Sequence, residues 1–175
     1  MTLADDFGYF IEPLGSQHDR TAFCCGIEAL DSYFQRQAGQ DTRKHVAAPF
    51  VLVDKSFGSI AGYYTLSSMS ISAGDLPPEI IKKLKLPKYQ VLPATLLGRL
   101  AVDKGYQGKG LGELLLMDAL RRIWRSEIAT MAVVVDAKDE SARSFYERYQ
   151  FIRLSNYPNR LFLPMATIAK LARED

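Results

Sequence analysis

The stretch Leu97-Gly98-Arg99-Leu100-Ala101-Val102-Asp103-Lys104-Gly105-Tyr106-Gln107-Gly108-Lys109-Gly110-Leu111-Gly112-Glu113-Leu114-Leu115 places an apolar strand pattern, a glycine-rich turn and the first turn of a long helix in direct succession. That order aims consecutive backbone N–H groups at an anion, which makes it a candidate phosphate cradle. A Walker A loop is excluded: six residues on from Gly105 the sequence reads Leu111 and Gly112, without the lysine and the magnesium-binding hydroxyl. A dinucleotide fingerprint is excluded too, because Glu113 stands where its third glycine is required. What is left is Gln107-x-x-Gly110-x-Gly112, with glycines that let the backbone approach phosphate oxygens.

This motif resembles the Gln/Arg-x-x-Gly-x-Gly/Ala signature of the GNAT acyltransferases, in which backbone amides hold the pyrophosphate of acetyl-coenzyme A. The resemblance implies that Leu100, Ala101 and Val102 on the strand, and Gln107, Gly108, Lys109, Gly110, Leu111 and Gly112 in the turn, bind acetyl-CoA. A second signature lies in Ser144-Phe145-Tyr146-Glu147-Arg148-Tyr149-Gln150-Phe151, an aromatic pair on a short helix just before a strand that opens with Phe. By the same resemblance Phe145 packs inward beside the cofactor, Ser141 contributes to its binding, and Tyr146 points at the thioester sulfur. A tyrosine suits that place, since its O–H, with a pKa near ~10, can donate to a departing thiolate near ~8.5. The family usually has Gly-Phe where this chain has Gln150-Phe151, which puts the left-handed helix cap in doubt.

These groups need elements to position them. The chain has 175 residues, 47% hydrophobic and 24% charged, as expected of one domain (1–175) with a sizeable core. Tyr9 to Glu12, Phe50 to Val53, Ser59 to Ser67, Leu96 to Val102, Met131 to Asp136, Phe151 to Arg153 and Leu161 to Met165 read as strands. In the third of these, Ile60, Gly62, Tyr64 and Leu66 are expected on one face. The β-branched run Val133-Val134-Val135 marks a strand buried on both faces.

Helical spacing covers Glu28 to about Ala38, Glu79 to Leu84, Gly110 to about Ser126 and Ala142 to about Tyr149, with a last turn at Ala166 to Ala172. On the long helix Leu116, Leu120, Ile123 and Trp124 are expected inward, with Asp118, Arg121, Arg122 and Arg125 outward. Asp139 or Ser141 can cap the helix that follows. Arg43, Lys44 and His45 fall in a polar stretch, and Ser155 to Arg160 reads as a loop. The order β-α-β-β-β-α-β-α-β-β describes a mixed α/β sandwich, one sheet with helices on both faces, and the GNAT fold implies the same order.

The amine acceptor is constrained by what is missing. A lysine amine near ~10.4 needs a base, whereas an α-amine near ~7.7 already has a usable neutral fraction. His18 and His45, the only histidines, fall outside the strand and helix of the signatures, and neither Glu140 nor Glu147 is singled out as a base. This favours an α-amine. Cys24 and Cys25 are adjacent, a poor disulfide pair without metal-ligand spacing, so neither a disulfide nor a metal is expected. With no leader pattern near Met1 and no long apolar run, the expected location is cytoplasmic.

Beyond the two signatures, His18 to Phe34 resembles the opening of the GNAT toxins of bacterial type II toxin–antitoxin systems. Gly62-Tyr63-Tyr64-Thr65-Leu66-Ser67, Leu97 to Asp103 and Leu161-Phe162-Leu163-Pro164-Met165 also look like that branch, so the resemblance covers nearly the whole chain. It implies acetylation of the α-amine of aminoacyl-tRNA, which blocks translation. It also implies neutralisation by a ribbon-helix-helix antitoxin that carries the complex to operator DNA. The net charge is only +2, so RNA binding must rest on local cations. Arg36, Arg43, Lys44, Lys82, Lys83 and Arg99 are the tRNA candidates, as phosphate contacts. Arg99 stands apart because it interrupts the central strand on the face of Leu97 and Ala101, where a cation needs a partner. A homodimer is the default assembly. Two rivals stay open: a housekeeping GNAT acting on a small or protein amine, and a non-catalytic acyl-CoA-binding module.

Overall fold

A computed structural model describes residues 5–173. The terminal residues of the expected 1–175 domain, with the Met1 end of the leader reading, lie outside the described residues. Seven strands, β1 (Tyr9–Pro13), β2 (Ala48–Asp54), β3 (Ile60–Ser72), β4 (Val91–Val102), β5 (Ala132–Asp136), β6 (Ile152–Leu154) and β7 (Tyr157–Pro164), are hydrogen-bonded in the order β1-β2-β3-β4-β5-β7-β6. The helices are α1 (Glu28–Ser32), α2 (Ala38–Arg43), α3 (Pro78–Leu84), α4 (Leu111–Trp124), α5 (Glu140–Arg148) and α6 (Met165–Arg173). The expected α/β class with a mixed sheet is what the chain forms: β4 and β5 are parallel, while β1–β2, β2–β3, β5–β7 and β6–β7 are antiparallel. No helix among the described residues is long and apolar enough to cross a membrane.

Two compact units divide the chain, Met1–Ser67 with Gly98–Ala119, and Ser68–Leu97 with Leu120–Asp175. The first has a core of Leu30, Tyr33, Phe34, Val51, Val53, Ile60, Tyr63 and Ala101, in which the Phe34 and Tyr63 rings stack at 4.2 Å. Its helical run departs from the sequence expectation. Between α1 and α2 the residues Tyr33–Gln37 form a π-helical turn, so the helix carries on past Ala38 to Arg43, which is exposed at its last position. Arg20 donates to the Phe34 carbonyl at 2.9 Å, bonding one of the loosened carbonyls of that turn. β3 is buried from Ile60 through Thr65, on both faces and not on one.

The second unit is built on β5, where Ala132 to Val135 are fully buried, the reason for its unbroken apolar run. Ile71, Leu76, Leu92, Ala94, Leu154 and Phe162 close this core. The expected Ser155 to Arg160 loop shrinks to a two-residue tip. Ser155 N–H and the Asn156 amide both bond Asp75, and Arg160 pairs with Asp136 on β5, so Tyr157 to Arg160 extend β7 despite their polarity. Trp124 ends α4 at 39% exposure, a correction to its inward placement. Asp118 is corrected as well: it turns in to accept the hydroxyl of the buried Tyr64.

Candidate active site

The candidate anion cradle sits where β4 outruns its neighbour. β5 pairs with β4 in the register Ala94↔Ala132 to Leu97↔Val135, and β4 continues for Gly98–Val102 beyond it. That leaves the Leu100–Val102 stretch beyond β5 along an open edge, with the Val102 carbonyl already taken by the Gln107 side chain. On the other side the strand end is fixed, because Asp103 N–H donates to Ala61 O of β3 at 2.8 Å.

Asp103 then shapes the turn. One carboxylate oxygen accepts Gly105 N–H at 2.8 Å, closing a 3-10 turn at Lys104–Tyr106, and the other accepts Cys24 N–H at 3.0 Å. Lys104 N–H returns a bond to Cys24 O at 2.8 Å. The Gln107 side chain donates to Cys25 O at 3.1 Å and to Val102 O at 2.9 Å. Its amide group is therefore spent bracing the turn, and only the Gln107 backbone is left to a phosphate. The Tyr106 hydroxyl donates to Asp54 at 2.7 Å. Across the strap, Cys25 and Gly26 N–H groups bond Asp31 of α1 at 2.7 and 3.3 Å. Burial pulls the Asp31 carboxyl up, but the Cys25 and Gly26 amides outweigh it and hold the pKa below the ordinary value.

Gly108 and Gly110 lie in the left-handed region, with φ of +81° and +76°. A Cβ added at either would meet no protein atom within 4 Å, so backbone conformation and not crowding by the protein demands glycine here. The space beside Gly108 and Gly110 is therefore open, and the start of α4 at Leu111 and Gly112 follows directly. A pyrophosphate fits that space. Lys109 extends over the Tyr106 ring at 5.4 Å, and Lys109, Gly110, Leu111 and Glu113 help line a cavity of about 550 Å³ that reaches Phe7 and Tyr9.

Tyr146 belongs to the second unit. Asp139, not Ser141, caps α5 by accepting Ala142 N–H at 2.8 Å, and Ser141 is exposed in its first turn. The far end closes in a Schellman motif: Gln150 N–H donates to Glu147 O at 3.1 Å and Phe151 N–H to Tyr146 O at 3.3 Å. Gln150 adopts φ +73°, so the cap that the family builds with glycine is made here by glutamine. The accompanying apolar contact is the Phe151 ring on the Tyr146 ring, 5.2 Å between centroids. Tyr146 is only 8% exposed while Phe145 is half-buried, so the expected inward packing falls more on Tyr146 than on Phe145. Burial pushes the Tyr146 hydroxyl well above the ordinary tyrosine value, which keeps its proton in place.

The other candidates are dispersed. Arg36, Arg43 and Lys44 are exposed on and just beyond the α1–α2 run, and Lys82 and Lys83 are exposed on α3. Arg36 lines a concavity of about 330 Å³ with Cys24, Asp31, Gln35 and Lys104. Arg99 finds a ring and not a carboxylate: its guanidinium lies 3.4 Å from the centroid of Tyr33. His18 is committed to Glu12 and Gly15 N–H, at 2.7 and 2.9 Å. The bracing residues Asp103, Tyr106, Asp54 and Asp31 were not singled out from sequence. Asp103 alone carried a signal there, an aspartate two residues before a glycine.

Comparison with known proteins places this geometry. Residues 91–167 match the acetyltransferase (GNAT) domain model. A probable toxin TacT from Sinorhizobium fredii is 33% identical over 92% of this chain and 93% of its own. A tRNA-acetylating toxin from Mycobacterium tuberculosis is 34% identical over 84% of this chain and 86% of its own. The structure of AtaT complexed with acetyl-methionyl-tRNAfMet superposes with a TM-score of 0.85 at 30% identity, covering 94% of this chain and 99% of AtaT. A tyrosine-to-phenylalanine mutant of AtaT bound to the C-terminus of the antitoxin AtaR and acetyl-CoA gives a TM-score of 0.78 at 26% identity, over 94% and 98% of the two chains. With its cradle, its capped tyrosine helix and relatives matched over nearly its full length, the chain belongs to the toxin branch of the GNAT acetyltransferases and is an acetyl-CoA-dependent N-acyltransferase.

Proposed function

We propose that the chain, acting over 1–175 as one N-acetyltransferase domain, transfers the acetyl group of acetyl-CoA to the α-amine of aminoacyl-tRNA and so blocks translation. The observation that carries this reading is the cradle at the end of β4 in a chain so similar to AtaT, which is solved with an acetylated aminoacyl-tRNA. Acetyl-CoA supplies an activated acyl group: the amine nitrogen bonds to the carbonyl carbon, and the C–S bond breaks with its electron pair going to sulfur.

The backbone of Gln107 to Gly112 holds the pyrophosphate, and Leu100 to Val102 orient the thioester carbonyl and pantetheine amides along the open edge. Tyr146 delivers its proton to the departing thiolate, and the proton lost by the amine restores the phenol through solvent. Ser141 and Phe145 complete cofactor binding. Arg36, Arg43, Lys44, Lys82, Lys83 and Arg99 attract the RNA, the surface lysines and arginines by phosphate contacts that position without reading bases.

A ribbon-helix-helix antitoxin neutralises the enzyme and carries the complex to operator DNA, and the toxin works in the cytoplasm as a homodimer. AtaT bound to the C-terminus of the antitoxin AtaR supports an antitoxin partner. The test is label transfer from acetyl-labelled coenzyme A into total charged tRNA and into the same tRNA deacylated, at stated salt. Label in the charged sample alone is expected. Label in neither, with acetyl-CoA still bound, would transfer the activity to a small or protein amine.

A further inference from the structure

The environment of Arg99 bears on how the acceptor amine loses its proton. The other arginines whose ion pairs are resolved face carboxylates, Arg153 facing Glu147 and Arg160 facing Asp136, each at 2.7 Å. Arg99 instead lies flat on the Tyr33 ring, 3.4 Å from its centroid, and no carboxylate among the described residues pairs with it. A ring face attracts a cation but does not neutralise it. Tyr33 is in turn fixed by the π-turn and by its hydroxyl, which donates to Asp41 of α2 at 2.9 Å, and Gln37 holds the other oxygen of that carboxylate. Arg99 is thus a half-buried positive charge in one prescribed place.

That place is two residues before Ala101 on the same face of β4, about 7 Å along the strand from Ala101 at the middle of the segment assigned to the thioester carbonyl. The titratable groups around Arg99 are Tyr33 from the π-turn, on whose ring it lies, and Tyr63 from β3 within electrostatic reach, with Asp41 behind Tyr33, and Cys25 and Asp31 near Tyr63. Burial and the bond to Asp41 push the Tyr33 hydroxyl to about 12, and burial raises Tyr63 further, so both stay neutral at any pH where an α-amine titrates.

We propose that Arg99, stacked on Tyr33 with no ion-pair partner among the described residues, supplies a positive field that disfavours the ammonium form of the acceptor amine, so that the nucleophile enters neutral without a general base. The inference rests on the acyl-transfer reading above. Two unit charges about 8 Å apart at an effective dielectric near ~20–40 oppose each other by ~1–2 kcal/mol, about one pKa unit. A lysine placed near a second cation to become nucleophilic follows the same rule.

The test is the pH dependence of rapid-quench kcat at saturating acetyl-CoA for wild type, Arg99→Gln and Arg99→Lys, on charged tRNA and on a free aminoacyl ester. Arg99→Gln is expected to move the rising limb up by about one unit, roughly tenfold slower on that limb and converging with wild type on the plateau, while Arg99→Lys restores most of the shift. A loss that is uniform at all pH values, or confined to KM and to the salt dependence of tRNA binding, would overturn the proposal and make Arg99 a structural or phosphate-binding residue. A shift retained on the ester when charged tRNA is not accepted by any form would count against the tRNA reading alone.

Discussion

The cradle and the tyrosine helix are held in place by opposite means. The turn from Asp103 to Gly110 has little apolar anchorage, and Gln107, Gly108, Lys109 and Gly110 are exposed. It owes its shape to directed bonds from Asp103, Gln107 and Tyr106 and to two left-handed glycines. The end of α5 depends on packing: Tyr146 lies among Phe145 and Phe151, and its cap accepts a strained Gln150 to bring those rings together. The difference suits the proposed tasks. Phosphates need exposed amides in a fixed array, whereas a general acid that must stay protonated benefits from a dry surrounding.

The comparison breaks most sharply at Gly110. Valine there meets a φ of +76°, so Gly110→Val should keep its circular dichroism spectrum yet bind acetyl-CoA at least ~100-fold more weakly, the loss of about two charge-assisted hydrogen bonds. Tyr146→Phe should instead lower kcat by ~100-fold in steady-state assays, within the range of lost acid catalysis. Because burial raises the Tyr146 hydroxyl, loss of the acid form begins only above the ordinary tyrosine value of ~10. The pH–rate profile of the wild type should therefore show no falling limb below that pH.

A smaller effect is expected of Asp103→Ala. Removing the acceptor of Gly105 and Cys24 N–H groups should raise KM for acetyl-CoA by ~10-fold and leave kcat nearly unchanged, the cost of about one well-made bond to a charged group. Smallest is Gln150→Gly. Relief of the left-handed strain should stabilise the protein by about 1 kcal/mol, a rise of ~2–4 °C in Tm, with no change in acetyl-CoA affinity.

The same contrast explains what was legible in the sequence. The turn could be read because its glycines mark a backbone requirement, which Gly108 and Gly110 meet with positive φ, and β5 because it buries Val133, Val134 and Val135 completely. The left-handed cap at Gln150 is not legible from residue type, because it is the Phe151 ring on Tyr146 that stabilises the motif around a non-glycine residue. The π-turn at Tyr33–Gln37 leaves the apolar spacing of Tyr33, Phe34 and Ala38 looking like an ordinary helix, so nothing in the pattern announced it. Tertiary partners hid the rest. Asp118 looked like a surface residue until Tyr64 needed an acceptor, and Tyr157 to Arg160 looked like a loop until Asp136 and Asp75 supplied partners at both ends.

The division of labour between the two regions is tested most directly by calorimetric titration of acetyl-CoA into Tyr146→Phe and Gly110→Val side by side. Binding to Tyr146→Phe with wild-type affinity, and no measurable heat with a folded Gly110→Val, is the expected result. Equal losses in both variants, or wild-type binding in both, would contradict the assignment of binding to the cradle and of proton transfer to the tyrosine.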